Sequence, residues 1–318
     1  MSSKSMTVIP FIAAHGYPHT QAWIAALQLA LPDEHIVAFD ELTEEARAAC
    51  QVAIVANPDP ADLKQLPQLV WIHSVWAGVE RLVADLGNTD LKIVRLVDPQ
   101  LASTMAEAVL AWTLYLHREI PAYARQQAQK LWQARDYVRP EERTISLLGL
   151  GALGEAAANR LLQSGFKVCG WSRKPKTIAN IECFTGEHGL PAMLAKTDIL
   201  VCLLPLTTDT KGLINAQMLA GLPTGASLIN FARGAIVNAA DLHVVLDNGH
   251  LAHAVLDVFE TEPLPVADWQ WQHPQVSVLP HCAAPTDRTT ASRIVAENIR
   301  RYRDTGELPQ TVDVARGY

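Results

Sequence analysis

The run Thr144-Ile145-Ser146-Leu147-Leu148 passes directly into Gly149-Leu150-Gly151-Ala152-Leu153-Gly154, and an amphipathic segment, Leu153–Ser164, follows at once. This feature restricts the fold more than any other in the chain. An apolar strand has to stop, turn back and start a helix within a few residues. Three glycines divide that work: one makes the tight turn, one lets backbone approach a ligand, and one lets the helix pack closely on the strand. The helix start then offers unpaired N–H groups and the positive end of a dipole to an anion. In a strand–turn–helix unit this pattern is the pyrophosphate-binding turn of a dinucleotide site. Gly149, Gly151, Ala152, Leu153 and Gly154 are its expected contacts.

The same alternation runs on both sides of the turn. Before it, short apolar runs at Thr7–Ala13, Ile36–Phe39, Val52–Ala56, Leu69–His73 and Lys92–Leu96 alternate with stretches of helical spacing such as Trp23, Ile24, Leu27 and Leu31. After it, strands are expected at Lys167–Trp171, Ile199–Leu204, Ser227–Asn230, His253–Leu256 and Val276–Leu279, with helices between most of them and an amphipathic helix over Thr286–Asp304. Continuous apolar strands separated by helices predict parallel sheets covered on both faces. A long helix is expected from an N-cap at Ser103 to Leu131, kinked or divided at Pro121, with an irregular surface arm over Gln133–Arg143.

A chain of 318 residues predicts two domains. With 26 Lys and Arg against 33 Asp and Glu, its net charge of −7 argues against nucleic acid or an anionic membrane as the main partner. No apolar stretch has the length of a membrane span, and the short run after Lys4 reads as a first strand, not a signal peptide. The five cysteines, Cys50, Cys169, Cys183, Cys202 and Cys282, form no C-x-x-C pair, so free thiols in a reducing, cytoplasmic setting are expected. No His, Cys, Asp and Glu set has metal-ligand spacing, and no metal is expected.

An NAD site usually carries an acid at the end of the second strand, where it holds the ribose 2′-hydroxyl. Here the strand runs out as Gly170-Trp171-Ser172-Arg173-Lys174. Ser172, Arg173 and Lys174 suit a 2′-phosphate that a carboxylate would repel, so NADPH is the expected cofactor. The alternative is a solvated basic loop that also tolerates NADH, more weakly.

Three further features each follow an expected strand: Asn230-Phe231-Ala232-Arg233-Gly234, Asp257-Val258-Phe259-Glu260-Thr261-Glu262-Pro263-Leu264, and Pro280-His281-Cys282-Ala283-Ala284. Strand carboxyl ends border the ligand crevice of a doubly wound sheet. The residue types suit reduction of a 2-oxo acid, which needs a hydride, a proton for the carbonyl oxygen and a cation for the carboxylate. His281 can supply the proton, a carboxylate such as Glu262 can orient and charge the imidazole, and Arg233 can grip the substrate carboxylate. Glu260 is the competing carboxylate.

These segments together, with Leu204-Pro205-Leu206-Thr207, resemble the D-isomer-specific 2-hydroxyacid dehydrogenases over nearly the whole chain. The resemblance assigns catalysis to Arg233, Glu262 and His281, choosing Glu262 because it directly precedes Pro263. It adds Leu204 and Pro205 to the cofactor site and points Asp257 at the nicotinamide carboxamide. It implies two Rossmann-like, doubly wound parallel-sheet domains: a discontinuous substrate domain of 1–102 with 284–318, and an NADP-binding domain of 103–283. Trp171-Ser172-Arg173 and the closing Val312-Asp313-Val314-Ala315-Arg316-Gly317-Tyr318 are similar to a group within the family that reduces glyoxylate and hydroxypyruvate with NADPH. Small 2-oxo and 2-hydroxy acids are therefore the expected substrates and products.

The resemblance also implies a substrate-carboxylate loop at Ser74–Glu80, with Trp76, Ala77, Gly78 and Val79 as contacts and the amides of the last three forming an anion nest. Trp76 stands where the family more often has glycine; it either narrows the pocket or packs on the surface. Trp132 lies in an arm that in relatives helps form a homodimer; it either reaches a partner or packs on its own subunit. The rival activities are an NAD-linked dehydrogenase of another acid, such as lactate or phosphoglycerate, and a nucleotide-sensing corepressor. The Arg233, Glu262 and His281 set argues against the second.

Overall fold

The computed structural model describes residues 7–87 and 89–314, so Lys4 and the final Ala315, Arg316, Gly317 and Tyr318 lie outside the described residues. The chain divides into two compact units, Met1–Gln100 with Thr286–Tyr318, and Leu101–Pro285.

In the first unit, β1 (Thr7–Ala13), β2 (Glu34–Ala38), β3 (Val52–Ala56), β4 (Trp71–Ser74) and β5 (Lys92–Val94) form a parallel sheet in the order β2-β1-β3-β4-β5. Its helices are α1 (Thr20–Ala30), α2 (Glu44–Ala49), α3 (Pro60–Leu63), α4 (Glu80–Leu86) and, from the far end of the chain, α11 (Arg288–Thr305). Alternate side chains of each strand feed opposite cores. Ile9, Phe11, Ile54 and Trp71 pack with Trp23 and Leu27 of α1 and with Val295 and Ile299 of α11. Ile12, Ala53, Val55 and Ile72 share the other core with Leu82 and Val83 of α4. Burial on both faces explains why these strands read as unbroken apolar runs.

α5 (Pro99–His117) begins at the end of the first stretch of chain and continues from Leu101 in the second unit, where α6 (Ile120–Ala128) follows. The helix expected from Ser103 starts earlier, at Pro99. Asp98 Oδ1 accepts the Gln100 amide at 2.8 Å, and proline fits a first helical position, so Ser103 lies inside the helix. Pro121 divides the expected helix rather than bending it: Glu119 adopts φ +56°, and Pro121 falls in the first turn of α6.

The remaining strands are β6 (Thr144–Leu148), β7 (Lys167–Trp171), β8 (Glu182–Phe184), β9 (Ile199–Cys202), β10 (Ala226–Asn230), β11 (Leu251–Leu256) and β12 (Val276–Val278). They form a parallel sheet in the order β12-β11-β10-β9-β6-β7-β8. α7 (Ala152–Gln163), α8 (Gly186–Leu194), α9 (Ala216–Ala220) and α10 (Ala239–Asp247) cover it together with α5. Leu200, Leu228 and Ala254 face α8, α9 and α10, whereas Val201, Ile229 and Val255 face α5 and α7. Met105 belongs to the latter core at 7% exposure. The direction of strand addition reverses between β9 and β6, the point in such a sheet where ligands bind at strand carboxyl ends. Among the described residues, no helix is long and apolar enough to cross a membrane.

Candidate active site

The glycine turn forms at the end of β6, beside this reversal. Gly149 adopts φ +101°, and its amide donates to the Trp171 carbonyl at 2.9 Å. A Cβ on Gly149 would lie 3.0 Å from the Leu203 oxygen, and one on Gly154 would lie 1.9 Å from the Gly149 oxygen. These two glycines are therefore required by backbone contact within the protein. Gly151 differs: a Cβ there would enter open space with nothing within 4 Å, in front of the first turn of α7. That space and the unpaired amides bordering it fit a pyrophosphate. Buried Leu204 and half-buried Pro205 follow β9, where Thr210 Oγ1 donates to the Pro205 carbonyl at 2.7 Å.

The segment after β7 is a tight, side-chain-pinned loop. Ser172 Oγ donates to the Lys174 carbonyl at 2.7 Å, and Thr185 Oγ1 donates to the Arg173 carbonyl at 3.0 Å. Lys176 Nζ donates to the Leu150 carbonyl inside the glycine turn and lies 4.0 Å from Glu155 Oε2. Sequence spacing pointed to Ser172, Arg173 and Lys174 and stopped short of Lys176. The loop doubles back, and no periodicity in the sequence signals that.

Arg233, Glu262 and His281 follow β10, β11 and β12, three neighbouring strands. Asn230 holds the Arg233 loop by donating from Nδ2 to the Arg233 carbonyl and accepting the Ala232 amide at Oδ1, each at 3.1 Å. Arg233 Nη1 donates to the Ala232 carbonyl at 2.6 Å. Gly234 lies so close to the next loop that a Cβ would sit 2.0 Å from the Phe259 carbonyl carbon. The Phe259 amide in turn donates to Glu262 Oε1 at 2.9 Å, and Glu262 Oε2 pairs with His281 Nδ1 at 2.8 Å. Both carboxylate oxygens are thus committed, and the ring turns its other nitrogen, Nε2, away from Glu262. Among the described residues His281 pairs with Glu262 and not with Glu260, the competing carboxylate.

His281 itself adopts φ +52°. Its amide donates to the Asp257 carbonyl at 2.9 Å. The Asp257 carboxylate accepts the Cys282 amide at 2.7 Å and the Ala283 amide at 3.0 Å. Asp257 is 2% exposed and anchors the loop that carries the histidine, a role that sequence reasoning did not foresee.

In the first unit, Ser74–Glu80 leaves β4 and enters α4, and Ser74 Oγ accepts the Trp76 amide at 3.0 Å. Trp76 packs edge-on against Tyr17 and Trp23, with ring centroids 6.3 and 5.8 Å apart, so its half-buried indole belongs to the core of its own unit. His73 is structural: Nδ1 donates to the Ser74 carbonyl and Nε2 accepts from Asn298, each at 2.9 Å. Trp132, in the second unit, is fully exposed, which rules out packing on its own subunit.

One His and Asp set was not visible in sequence spacing. His243 and His273 bring their Nε2 atoms to 3.4 and 3.3 Å from the two oxygens of Asp247. The Gln275 amide donates to His273 Nδ1 at 3.1 Å, so the proton of the neutral ring sits on Nε2 and points at Asp247. With His243 stacked on Trp269 at 4.0 Å, the set acts as a clamp between α10 and the segment ahead of β12.

Known proteins resemble this chain over nearly its whole length. Residues 110–283 match the family profile described as "D-isomer specific 2-hydroxyacid dehydrogenase, NAD binding domain". A "Glyoxylate/hydroxypyruvate reductase A" of Yersinia enterocolitica is 34% identical over 310 residues, 96% of this chain and 98% of the relative. A D-isomer specific 2-hydroxyacid dehydrogenase of Xanthobacter autotrophicus Py2, solved with NADPH and MES, superimposes with a TM-score of 0.91 at 39% identity, covering 99% of this chain and 100% of that one. An NADPH-dependent glyoxylate/hydroxypyruvate reductase of Sinorhizobium meliloti, solved with NADP and sulfate, does so with a TM-score of 0.89 at 33% identity, covering 98% and 100%.

Proposed function

The chain belongs to the D-isomer-specific 2-hydroxyacid dehydrogenase family, and we propose that it reduces small 2-oxo acids with NADPH, glyoxylate to glycolate and hydroxypyruvate to D-glycerate. The observation that carries this reading is the 2.8 Å His281–Glu262 pair, set at a strand end beside the strand that delivers Arg233.

The pyrophosphate would rest on the amides of Gly149, Gly151, Ala152, Leu153 and Gly154, and the 2′-phosphate on the Ser172–Lys174 loop. Leu204 and Pro205 would line the dinucleotide, and Asp257 would meet the carboxamide through lone pairs not taken by Cys282 and Ala283. When bound, the reduced nicotinamide supplies the hydride for C2 of the substrate. Arg233 holds the substrate carboxylate and polarises the adjacent carbonyl through its planar fork. His281 gives a proton from Nε2 to the carbonyl oxygen while Nδ1 keeps its hydrogen on Glu262, so the ring holds its orientation as it becomes neutral. Glu262 cannot swing away, because its other oxygen is tied to the Phe259 amide. In the first unit, the amides of Ala77, Gly78 and Val79 would add carboxylate recognition, and Trp76 would stiffen that loop through its bond to Ser74.

The fully exposed Trp132, with exposed Leu131 and Tyr137 in the same arm, supports a homodimer. Five free thiols support a reducing, cytoplasmic setting. A panel of 2-oxo acids run with NADPH and NADH tests the activity. Glyoxylate and hydroxypyruvate should turn over fastest and with NADPH; equal rates with NADH would replace the cofactor assignment, and no turnover would remove the activity. His281→Ala should lower kcat by about 10²–10⁴-fold with the NADPH dissociation constant unchanged. A rate within a few-fold of the parent would remove the proton-donor role.

A further inference from the structure

We infer that His243, Asp247 and His273 form a binding site for a divalent metal ion of the zinc class, which would tie α10 to the segment ahead of β12. The inference does not depend on the activity proposed above, because the site lies outside the residues assigned to cofactor and substrate.

His243 and Asp247 are an i, i+4 pair on α10, so both side chains leave the same face of the helix. His273 comes from a segment 26 residues beyond Asp247, which is why sequence spacing alone pointed to no metal. His243 Nε2 lies 3.4 Å from Asp247 Oδ2, and His273 Nε2 lies 3.3 Å from Asp247 Oδ1. The ligand atoms of all three residues lie within 4.8 Å of one another. A hydrogen bond between an imidazole and a carboxylate ordinarily draws nitrogen and oxygen to about 2.7–3.0 Å. Around a zinc ion with bonds of about 2.05 Å, tetrahedral ligand atoms stand about 3.3 Å apart instead. The two nitrogen–oxygen spacings match that tetrahedral edge.

The rings are held in place without an ion. His243 stacks on Trp269 at 4.0 Å with an interplanar angle of 8°, and His273 meets Trp269 edge-on at 5.5 Å. Among the described residues, no lysine or arginine pairs with Asp247, so its carboxylate faces only the two imidazoles. Two ring nitrogens and a carboxylate suit zinc, whereas magnesium and calcium take oxygen ligands. The His273 side chain is 7% exposed and that of Asp247 65%, which leaves the outer side of an ion open to water as a further ligand. Binding requires one rearrangement. The metal takes the place of the proton on His273 Nε2, the ring then carries its hydrogen on Nδ1, and the Gln275 amide 3.1 Å away loses its acceptor. That lost bond lowers the affinity about 10- to 100-fold below that of a site whose Nε2 is already bare. α10 follows the Arg233 loop and β12 precedes His281, so a bound ion would brace the chain beside both residues.

Calorimetric titration of ZnCl2 into the full-length chain, first stripped with EDTA and dialysed free of it, tests the site. One ion should bind per chain and raise the melting temperature, and magnesium should not displace it. His243→Phe keeps a ring against Trp269, and Asp247→Asn keeps the side-chain shape. Both side chains are partly exposed, so neither change opens a core, and without metal each variant should melt near the parent. Each should weaken zinc by at least about 10-fold, the loss that even a partner behind a metal ligand causes. Cys282→Ser should bind zinc as the parent does. Cobalt(II) in place of zinc should give the visible absorption of a four-coordinate ion without the ultraviolet band of a thiolate ligand, which separates this site from the five cysteines. Absence of saturable zinc binding, binding unchanged in both His243→Phe and Asp247→Asn, or a thiolate band with cobalt would each overturn the inference.

Discussion

Replacing Gly234 by alanine tests how closely the His281–Glu262 pair, proposed above to be catalytic, depends on backbone packing. The new Cβ would lie 2.0 Å from the Phe259 carbonyl carbon, 2.3 Å from the Glu260 nitrogen and 2.4 Å from the Phe259 Cα. All three are backbone atoms, so no side chain can rotate out of the way. Ordinary contact begins near 3.4 Å, so one loop has to retreat by about 1.4 Å. The retreating backbone carries the Phe259 amide that holds Glu262 Oε1 at 2.9 Å, and a shift of that size breaks the bond. Glu262 then loses the tether that aims its other oxygen at His281. Displacements of about 1 Å at a reacting group cost about 10²-fold, and overpacking costs about 1–3 kcal/mol of stability. Gly234→Ala should therefore lower kcat/KM for hydroxypyruvate by about 10²-fold. NADPH affinity, read by fluorescence titration, should stay near that of the parent, because the glycine turn lies after β6 and not β10. A variant with kcat/KM within two-fold of the parent and an unchanged melting temperature would refute this chain of contacts.

Burial pulls the pKa of His73 down from 6.5 to about 4, against the opposing bond to the Ser74 carbonyl. The unfolded chain therefore binds the extra proton between these values, and stability present above pH 6.5 is lost as pH falls toward 4. Urea titrations at pH 7 and pH 5 should show a loss of about 2 kcal/mol from this residue, and His73→Gln should remove that part of the slope; an unchanged slope would contradict a buried neutral ring. Burial likewise pushes the thiols of Cys50 and Cys169 to about 11 and that of Cys202 to about 12, whereas Cys282 is exposed. Iodoacetamide under native conditions should mark Cys282 first by peptide mapping, and native labelling of Cys202 would contradict the packing described.

The parts of the protein that were legible in sequence are those whose physical signal is local. A glycine turn, an Arg-Gly, a Glu-Pro and a Pro-His each sit directly behind an apolar strand, so strand order alone brings them to one edge. The edge strand β8 was missed because its three residues, Glu182, Cys183 and Phe184, are only partly covered and show no apolar run. The start of α5 was misplaced because Asp98 and Pro99 together make a stronger helix start than Ser103. Lys176, the Asp257 anchor and the clamp of His243, Asp247 and His273 were not legible because each depends on how far a side chain or loop reaches across the sequence. The same holds for Trp76, whose neighbours Tyr17 and Trp23 lie more than fifty residues away in the chain.

A chain of net charge −7 that handles an anionic cofactor and an anionic substrate cannot rely on its overall field. Several of its cations are already matched within the structure: Arg303 with Glu34, Lys196 with Glu182, Arg143 with Asp198 and Arg139 with Glu142. At physiological salt, exposed charges further than about 8 Å are largely screened, so attraction has to come from groups in contact with the ligand. The amides of the glycine turn carry no formal charge and cannot be screened away as a distant lysine can. On the proposed reading, Arg173 and Lys174 after β7 and Arg233 after β10 would then supply full charge where a phosphate and a carboxylate lie. A net charge of −7 offers an anion no general attraction, so an anion gains by binding only where these few donors meet it with matching geometry.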